Sequence, residues 1–201
     1  MRAAVTEAFG GVERIAVRDV PKPQPGPGEV LVRVRAASMN PLDCKLREGK
    51  LRFIYRVTPP FVLGFDLAGE VEAVGPGVTR LRPGDAVFGS TMRPGAHAEH
   101  AVAAEELLLP RPSRLSFEEA AAIPAAAMSA LQALRDEARL RAGQHLLVNG
   151  AGGGIGTFAV QIAKAWGARV TAVASARNQG SSLASNSSTR SIRVRCCSSP
   201  V

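Results

Sequence analysis

The chain has 201 residues, enough for one large domain or two small ones, and 46% of them are hydrophobic. Its net charge of +8 comes from scattered basic residues rather than a basic stripe interleaved with aromatic side chains, so nucleic-acid binding is not expected. No apolar run is long enough to span a bilayer and no N-terminal stretch resembles a signal peptide, so a cytoplasmic protein is expected.

The first 115 residues have the pattern of short strands separated by turns. Valines alternate with other residues over 30–35, which is the period-2 pattern of a strand with one buried face. Turns rich in glycine and proline lie at 75–77 and 83–85. Several short strands at this spacing predict a small barrel or sandwich. Further strands are predicted at 67–74, 86–88, 97–103 and 107–109.

Helices are predicted at two places in the first two thirds of the chain. A loop at 40–49 should enter a short helix, because Pro41 suits the first helical turn. Ser116 and Glu119 have the spacing of a capping box. The helical segment that follows them is expected to be divided by Pro124.

Residues 145–174 have the pattern strand, glycine-rich turn, helix, strand. Apolar runs at 145–148 and 170–174 predict two buried parallel strands, and the helix between them should end at Gly167. Glycines at such a turn let backbone N–H groups approach a pyrophosphate, which the helix N-terminus also attracts. The GxGxxG spacing is not met literally, because Ile155 stands where the third glycine would fall. The whole unit still predicts a dinucleotide cradle.

The residues after the second strand bear on which dinucleotide is bound. An NAD site usually places an acid there to accept hydrogen bonds from the ribose 2′-hydroxyl. This chain has Ser175 and Arg177 instead, a hydroxyl and a guanidinium that can hold a 2′-phosphate. NADPH is therefore predicted. The other interpretation of Arg177 is a solvated side chain after a strand.

The pattern of the chain stops after Asn178. Residues 180–201 contain eight serines and no acid, a composition that buries too little apolar surface to offset its ordering entropy. The segment 179–201 is therefore predicted to be disordered. A doubly wound nucleotide domain usually has about six strands, whereas only two, at most three, are evident here. The sequence thus predicts a nucleotide-binding domain that is cut short.

Taken in order, these motifs resemble the medium-chain dehydrogenase/reductase superfamily, specifically its zinc-free quinone oxidoreductase (zeta-crystallin-like) branch. The resemblance covers residues 1–178, and 179–201 do not match the family. The stretches that carry it are PGEVLVRVRAASMNPLDCKLREG ending at Gly49, PFVLGFDLAGEVEAVGPGVTRLRPGDAVFG at 60–89, GAHAEHAVAAEELLLP at 95–110, and the unit at 145–175.

The resemblance implies a fold of mixed β and α/β class. An N-terminal GroES-like β-barrel would occupy residues 1–118, and an incomplete Rossmann (doubly wound) domain would occupy 119–178 as a partial NADP-binding domain. In this family the active site lies in the cleft between the two domains.

The resemblance also bears on metal binding. Zinc-dependent relatives use a cysteine near the position of Asn40, and a His-Glu pair where this chain has Phe65 and Asp66. Phenylalanine cannot coordinate a metal, and an amide is a poor ligand. No bound metal is predicted.

Without zinc to polarise a carbonyl, the substrate must accept hydride readily on its own, as quinones and α,β-unsaturated carbonyls do. The predicted function is NADPH-dependent hydride transfer to a quinone or enone. The expected partner is that small-molecule substrate, with no nucleic acid and no membrane, and a homodimer stays open.

Site residues follow from the same resemblance. Asn40 and Lys45 would line the nicotinamide end, and Ser129 stands where relatives often have a threonine. The other interpretation of Asn40 is a helix cap, and that of Lys45 is a solvated helix face. The pyrophosphate would lie against Gly152, Gly153, Gly154, Ile155 and Gly156.

A competing hypothesis is a non-catalytic protein that binds a partner or nothing. Nicotinamide normally rests on the second half of the Rossmann sheet, and the sequence shows no pattern for that half. We therefore expect the 201-residue chain to be a poor or inactive enzyme whose family function is quinone or enone reduction.

Overall fold

The computed structural model describes residues 1–175, so Arg177 and the segment 179–201, for which disorder is predicted, lie outside the described residues. The chain divides into two units, Met1–Ala125 and Ala126–Val201. Antiparallel sheets make up most of the first unit, and two parallel strands with helices make up the described part of the second. The predicted mixed β and α/β class is confirmed. No helix within residues 1–175 has the length and apolar character needed to span a lipid bilayer.

The first unit is built on two antiparallel sheets. Its strands are β1 (Arg2–Thr6), β2 (Ile15–Asp19), β3 (Glu29–Ala37), β4 (Phe61–Val62), β5 (Asp66–Val74), β6 (Ala86–Ser90), β7 (His100–Ala104) and β8 (Leu108–Pro110). One sheet has the order β7-β3-β5-β6-β8, and the other has the order β2-β1-β4. Within the described part of the chain neither sheet closes on itself, so the first unit is an open version of the predicted barrel.

The alternating pattern on β3 gives the larger sheet one apolar face and one charged face. Val30 and Val32 are completely buried in the core of the unit. Arg33 and Arg35 lie on the charged face, where both guanidinium groups bind the Glu70 carboxylate of β5 at 2.7 and 2.9 Å. The core against the apolar face includes Val30, Val32, Leu67, Val71, Leu81, Val87, Ala101 and Leu108.

Three short helices complete the first unit: α1 (Pro41–Arg47), α2 (Arg52–Tyr55) and α3 (Phe117–Ala121). The predicted capping box is present, since the Ser116 hydroxyl accepts from the Glu119 N–H at 3.1 Å and the Glu119 carboxylate accepts from the Ser116 N–H at 2.8 Å. Behind this cap, Ala120 is fully buried and packs with Ala68 of β5. Local capping chemistry therefore fixes where α3 begins.

Strand β7 begins three residues later than predicted, because residues 97–99 join the two sheets. The Ala4 N–H of β1 donates to the His97 carbonyl at 2.8 Å. The Val34 N–H of β3 donates to the Glu99 carbonyl at 2.9 Å. This segment therefore bonds to both sheets before the chain enters β7.

The second unit contains a βαβ arrangement preceded by a helix. Its elements are α4 (Pro124–Gln132), which starts in the first unit and continues into a π-helical turn (Ala133–Glu137), then β9 (His145–Asn149), α5 (Gly154–Ala165) and β10 (Arg169–Val173). Strands β9 and β10 pair in parallel, with His145 opposite Arg169 and Asn149 opposite Val173. The predicted strand, turn, helix and strand are confirmed, and α4 begins at Pro124 as the predicted division implies.

The two parallel strands are covered on one face only by the described residues. Helices α4 and α5 pack on Leu146, Val148 and Val170 through an apolar cluster that includes Val160. On the other face, 65% of Leu147 is exposed. The prediction of a fully buried strand at 145–148 is therefore wrong for residues 1–175, because no described element packs over that second face.

Candidate active site

The turn between β9 and α5 is held against the neighbouring strand. The N–H groups of Gly150 and Ala151 both donate to the Val173 carbonyl of β10, at 3.0 and 2.9 Å. Gly150 has a φ of +76°, a left-handed conformation that favours glycine. These hydrogen bonds and the left-handed Gly150 therefore fix the backbone conformation between β9 and α5.

Gly156 lets the first turn of α5 approach this loop closely. A Cβ atom on Gly156 would lie 2.2 Å from the Gly150 carbonyl oxygen, far inside a normal contact. Close packing of the helix is the role of the third glycine in a dinucleotide-binding turn. Counting back from Gly156, the GxGxxG spacing places Gly153 second and Ala151 first. The motif is thus present with alanine in place of its first glycine, and it begins at Ala151, one residue after Gly150.

The start of α5 has the features of an anion site. Gly153 precedes the helix, and the first intrahelical bond runs from the Thr157 N–H to the Gly153 carbonyl at 2.9 Å. The N–H groups of residues 154–156 come before that bond, and helix geometry gives them no intrahelical acceptor. Ile155 is 52% exposed, and Gly153 and Gly154 are exposed too. This turn fits the diphosphate of a dinucleotide, because donors lie at an exposed helix N-terminus.

The other residues predicted around the cofactor lie at separate places in the second unit. Gly152 is half-buried within the turn. Ser175 is exposed two residues beyond the end of β10. Ser129 is exposed on α4. Residues 152–156 thus lie together at the end of the turn and the start of α5, whereas Ser129 lies on α4 and Ser175 follows β10.

Asn40 lies immediately before α1 in a polar cluster of the first unit. Its backbone N–H donates to Asp43 Oδ2 at 2.6 Å, as expected for a residue that caps the helix. Its side-chain Nδ2 donates to Asp66 Oδ2 at 3.0 Å and to Ser38 Oγ at 3.3 Å. Lys45 lies one turn further along α1 and is exposed. Asn40 therefore caps α1 and also belongs to a network that reaches β5.

Two buried carboxylates form the centre of this polar cluster. Asp66 is 1% exposed and Asp43 is 3% exposed. Burial raises the pKa of Asp43 above its ordinary value of 3.8, while the Asn40 N–H and the nearby His97 act in the opposite direction. His97 Nε2 lies 2.9 Å from the Ser38 carbonyl oxygen, so this imidazole nitrogen is the donor.

Of the members of this cluster, the sequence gives a site role only to Asn40, and Asp66 enters only as the residue at the position of a glutamate that zinc-dependent relatives use. Asp43 had a local signal, because it follows Asn40 by three residues, as in a capping box. Asp66 had a weaker one, as the single acid directly before the apolar run 67–69. In residues 1–175, no group of three or more His, Cys, Asp or Glu side chains is placed to hold a metal ion.

Comparison with known proteins places these features in a family. Residues 26–113 match the alcohol dehydrogenase GroES-like domain. A chloroplastic quinone-oxidoreductase homolog of Spinacia oleracea is 39% identical in an alignment 176 residues long, which covers 84% of this chain and 54% of that protein. A quinone oxidoreductase of Homo sapiens is 37% identical over 175 residues, 87% of this chain and 53% of that protein.

A solved structure extends the likeness across both units. The quinone oxidoreductase of Coxiella burnetii matches with a TM-score of 0.84 and 33% identity, over 90% of this chain and 59% of that one. The chain belongs to the medium-chain dehydrogenase/reductase superfamily. The resemblance inferred from the motifs is thereby confirmed. The chain spans about half the length of the curated superfamily members it matches.

Proposed function

We propose that this chain binds NADPH and forms part of an oxidoreductase that transfers hydride to a quinone or an α,β-unsaturated carbonyl. The observation that carries the proposal is the turn between β9 and α5, where Gly156 packs on the Gly150 carbonyl at the start of an exposed helix. The relatives named quinone oxidoreductase support the substrate class. In this proposal, residues 1–118 serve the substrate and residues 119–178 hold the nucleotide.

The proposed reaction proceeds without zinc. Phe65 is 3% exposed and offers no ligand atom at a position where zinc-dependent relatives have histidine. Asn40, at the position of a zinc-binding cysteine, is bound to Asp66 and Ser38 by its amide nitrogen. Phe65 is thus apolar, and the amide of Asn40 is already bound within the protein. Neither side chain is suited to bind a catalytic metal.

Three side chains are proposed to orient the substrate and the nicotinamide ring. A bound NADPH would supply the hydride. Asn40 would orient the ring by a hydrogen bond, since its amide is already fixed by two partners. Lys45, exposed on α1, carries a charge that would stabilise an oxygen as negative charge develops on it. Ser129, exposed on α4, would contribute a hydroxyl at the nicotinamide end.

The preference for NADPH over NADH is proposed on the chemistry after β10. Ser175 is exposed there and can donate to a 2′-phosphate. Arg177, which lies outside the described residues, supplies a positive charge two positions further on. An acid at this place would bind the ribose 2′-hydroxyl of NADH and repel the 2′-phosphate of NADPH, but Ser175 and Arg177 are not acids.

A second candidate function is nucleotide binding without catalysis. The observation that favours it is Leu147, which is 65% exposed on the face of the two-stranded parallel sheet that no element of residues 1–175 covers. Parallel sheets are normally covered on both faces, and nicotinamide needs a sheet surface against which to rest. We propose accordingly that the 201-residue chain on its own can bind NADPH but reduces quinones poorly or not at all.

Calorimetric titration with NADPH, followed by a turnover assay with 1,4-benzoquinone, separates these candidates. Binding together with steady NADPH oxidation supports the enzyme. Binding with no quinone-dependent oxidation supports the non-catalytic candidate. A folded chain that shows no heat of binding up to millimolar NADPH contradicts the proposed cofactor site.

A further inference from the structure

The carboxylate of Asp66 accepts three hydrogen bonds from two separate stretches of the first unit, one at residues 38–40 and one at Ala125. Its Oδ2 atom accepts from Asn40 Nδ2 at 3.0 Å, from the Ala125 N–H at 3.0 Å and from Ser38 Oγ at 3.4 Å. Asp66 is the first residue of β5 and is 1% exposed. Water therefore does not compete for this oxygen, and the three donors set its surroundings.

These contacts fix which way the amide of Asn40 faces. A backbone N–H can only donate, so the Ala125 contact identifies Asp66 Oδ2 as an acceptor. The Asn40 atom that faces this oxygen must then be the nitrogen, because an amide oxygen there would oppose another acceptor. The Ser38 hydroxyl donates its single proton to Asp66, and its oxygen accepts from the same amide nitrogen at 3.3 Å. Both hydrogens of the Asn40 amide are therefore used within the protein.

The backbone of Asn40 is held as well. Its N–H donates to Asp43 Oδ2 at 2.6 Å, and Asp43 is 3% exposed. One buried carboxylate thus fixes the main chain of Asn40, and the other fixes its side chain. Together, the Asp43 and Asp66 contacts hold the Asn40 side-chain amide in one orientation.

We infer that Asp66 is a positioning residue, which holds the Asn40 amide so that a ligand can meet it only through the carbonyl oxygen. The inference rests on the proposed function for the place of Asn40 in the site. Asn40 then acts as a hydrogen-bond acceptor and does not polarise the carbonyl of a substrate. The ligand group beside it must carry a hydrogen-bond donor, such as an amide N–H or a hydroxyl.

The structure offers a conservative variant that separates the hydrogen bond from the charge. All three donors use Oδ2, whereas Asp66 Oδ1 is buried with no hydrogen-bond partner among the described residues. An asparagine at this position can keep its oxygen at the Oδ2 site and turn its nitrogen to the Oδ1 site. Asp66→Asn should therefore preserve the orientation of Asn40, and Asp66→Ala should lose it.

Hydrogen exchange of side-chain amides, followed by NMR in the ¹⁵N-labelled 201-residue chain, tests the inference. In the unchanged chain, the Asn40 amide protons should exchange about tenfold or more slowly than those of Asn149, which is exposed at the end of β9. The Asn40 signal is assigned by its loss in Asn40→Ala. Equal exchange rates for the two asparagines would overturn the inference without any Asp66 variant, so the test does not depend on whether Asp66→Ala folds.

Three variants complete the test. Asp66→Ala should speed exchange of the Asn40 amide by about tenfold, and Asp66→Asn should leave it slow. Ser38→Ala should speed only one of the two amide protons. Backbone spectra confirm that each variant is folded, and slow exchange in a folded Asp66→Ala would overturn the inference. None of these measurements uses NADPH or a quinone, so their outcome is distinct from success or failure of the proposed function.

Discussion

A Cβ atom on Gly156 would lie 2.2 Å from the carbonyl oxygen of Gly150, so the first turn of α5 can approach the preceding loop only because residue 156 is glycine. Gly156→Ala should therefore push the helix away from the turn. We expect a loss of about 1–3 kcal/mol in the free energy of unfolding of the second unit, together with loss of NADPH binding. Urea unfolding followed by fluorescence of Trp166, which packs against the core of that unit, measures the first effect.

Gly154→Ala is the matched control for this prediction. A Cβ atom on Gly154 would meet only the Ala126 Cβ, at 3.8 Å, which is an ordinary contact. The free energy of unfolding should then change by about 0.5 kcal/mol or less. Equal losses for the two variants would show that close packing at Gly156 does not shape the turn.

Gly64→Ala should destabilise the first unit. Gly64 has a φ of +90°, and a Cβ atom there would lie 2.3 Å from the His97 ring and 2.7 Å from its backbone nitrogen. The expected cost is roughly 2–5 kcal/mol, from a left-handed conformation and a steric clash together. Gly77→Ala isolates the first contribution, because Gly77 has a φ of +82° and open space around it. The midpoint of denaturant unfolding should fall much further for Gly64→Ala than for Gly77→Ala.

Asp43→Asn should stabilise the first unit at neutral pH, by an amount that shrinks in acid. Burial raises the pKa of Asp43 above 3.8, so the folded state binds its proton more tightly than the unfolded chain does. The cost of burying the charged form is therefore full above the folded pKa and disappears as pH falls toward 3.8. Unfolding of both proteins at several values between pH 7 and pH 4 measures the difference.

The control for Asp43→Asn has the opposite sign. Arg35 and Arg33 lower the pKa of Glu70, so Glu70→Gln should lose a little stability at neutral pH, and that loss should also shrink in acid. A gain for Glu70→Gln, or a constant difference for Asp43→Asn across the pH range, would contradict the assignment of these charges.

Arg177→Ala should weaken NADPH binding and leave NADH binding unchanged. A guanidinium on a 2′-phosphate contributes a charge-assisted hydrogen bond of about 1.5–3 kcal/mol, which NADH cannot form. Calorimetric titration of both nucleotides into both proteins provides the measurement. A parallel weakening of the two nucleotides would indicate that Arg177 supports the fold and does not contact the phosphate.

The features that sequence could predict are those specified by neighbouring residues. The capping box of Ser116 and Glu119 and the run from β9 to β10 depend on spacings of a few residues. The Asp66 cluster could not be predicted in this way, because the three donors to Asp66 lie 26, 28 and 59 residues away along the chain. The periodicity of a strand predicts which side chains share a face. It does not predict which distant residues form hydrogen bonds at the end of that strand.

Sheet pairing set a similar limit. Strands β1 and β2 pair with each other and carry no strong alternation, so they were not predicted, and the two-residue β4 is too short to give a pattern. The sequence predicts a start for β7 that is three residues too early, because residues 97–99 are extended but bond partly to the other sheet. A strand-like sequence pattern therefore predicts that a strand is present but not which strands it pairs with.

The segment 97–99 has a consequence for how the first unit comes apart. Because its carbonyl groups accept from Ala4 on one side and Val34 on the other, each sheet can separate from this segment only by breaking a hydrogen bond to it. The amide protons of these two residues should therefore become exposed to solvent in the same cooperative event, with equal opening free energies in native-state exchange. A half-opened form that keeps one sheet and releases the other should never accumulate.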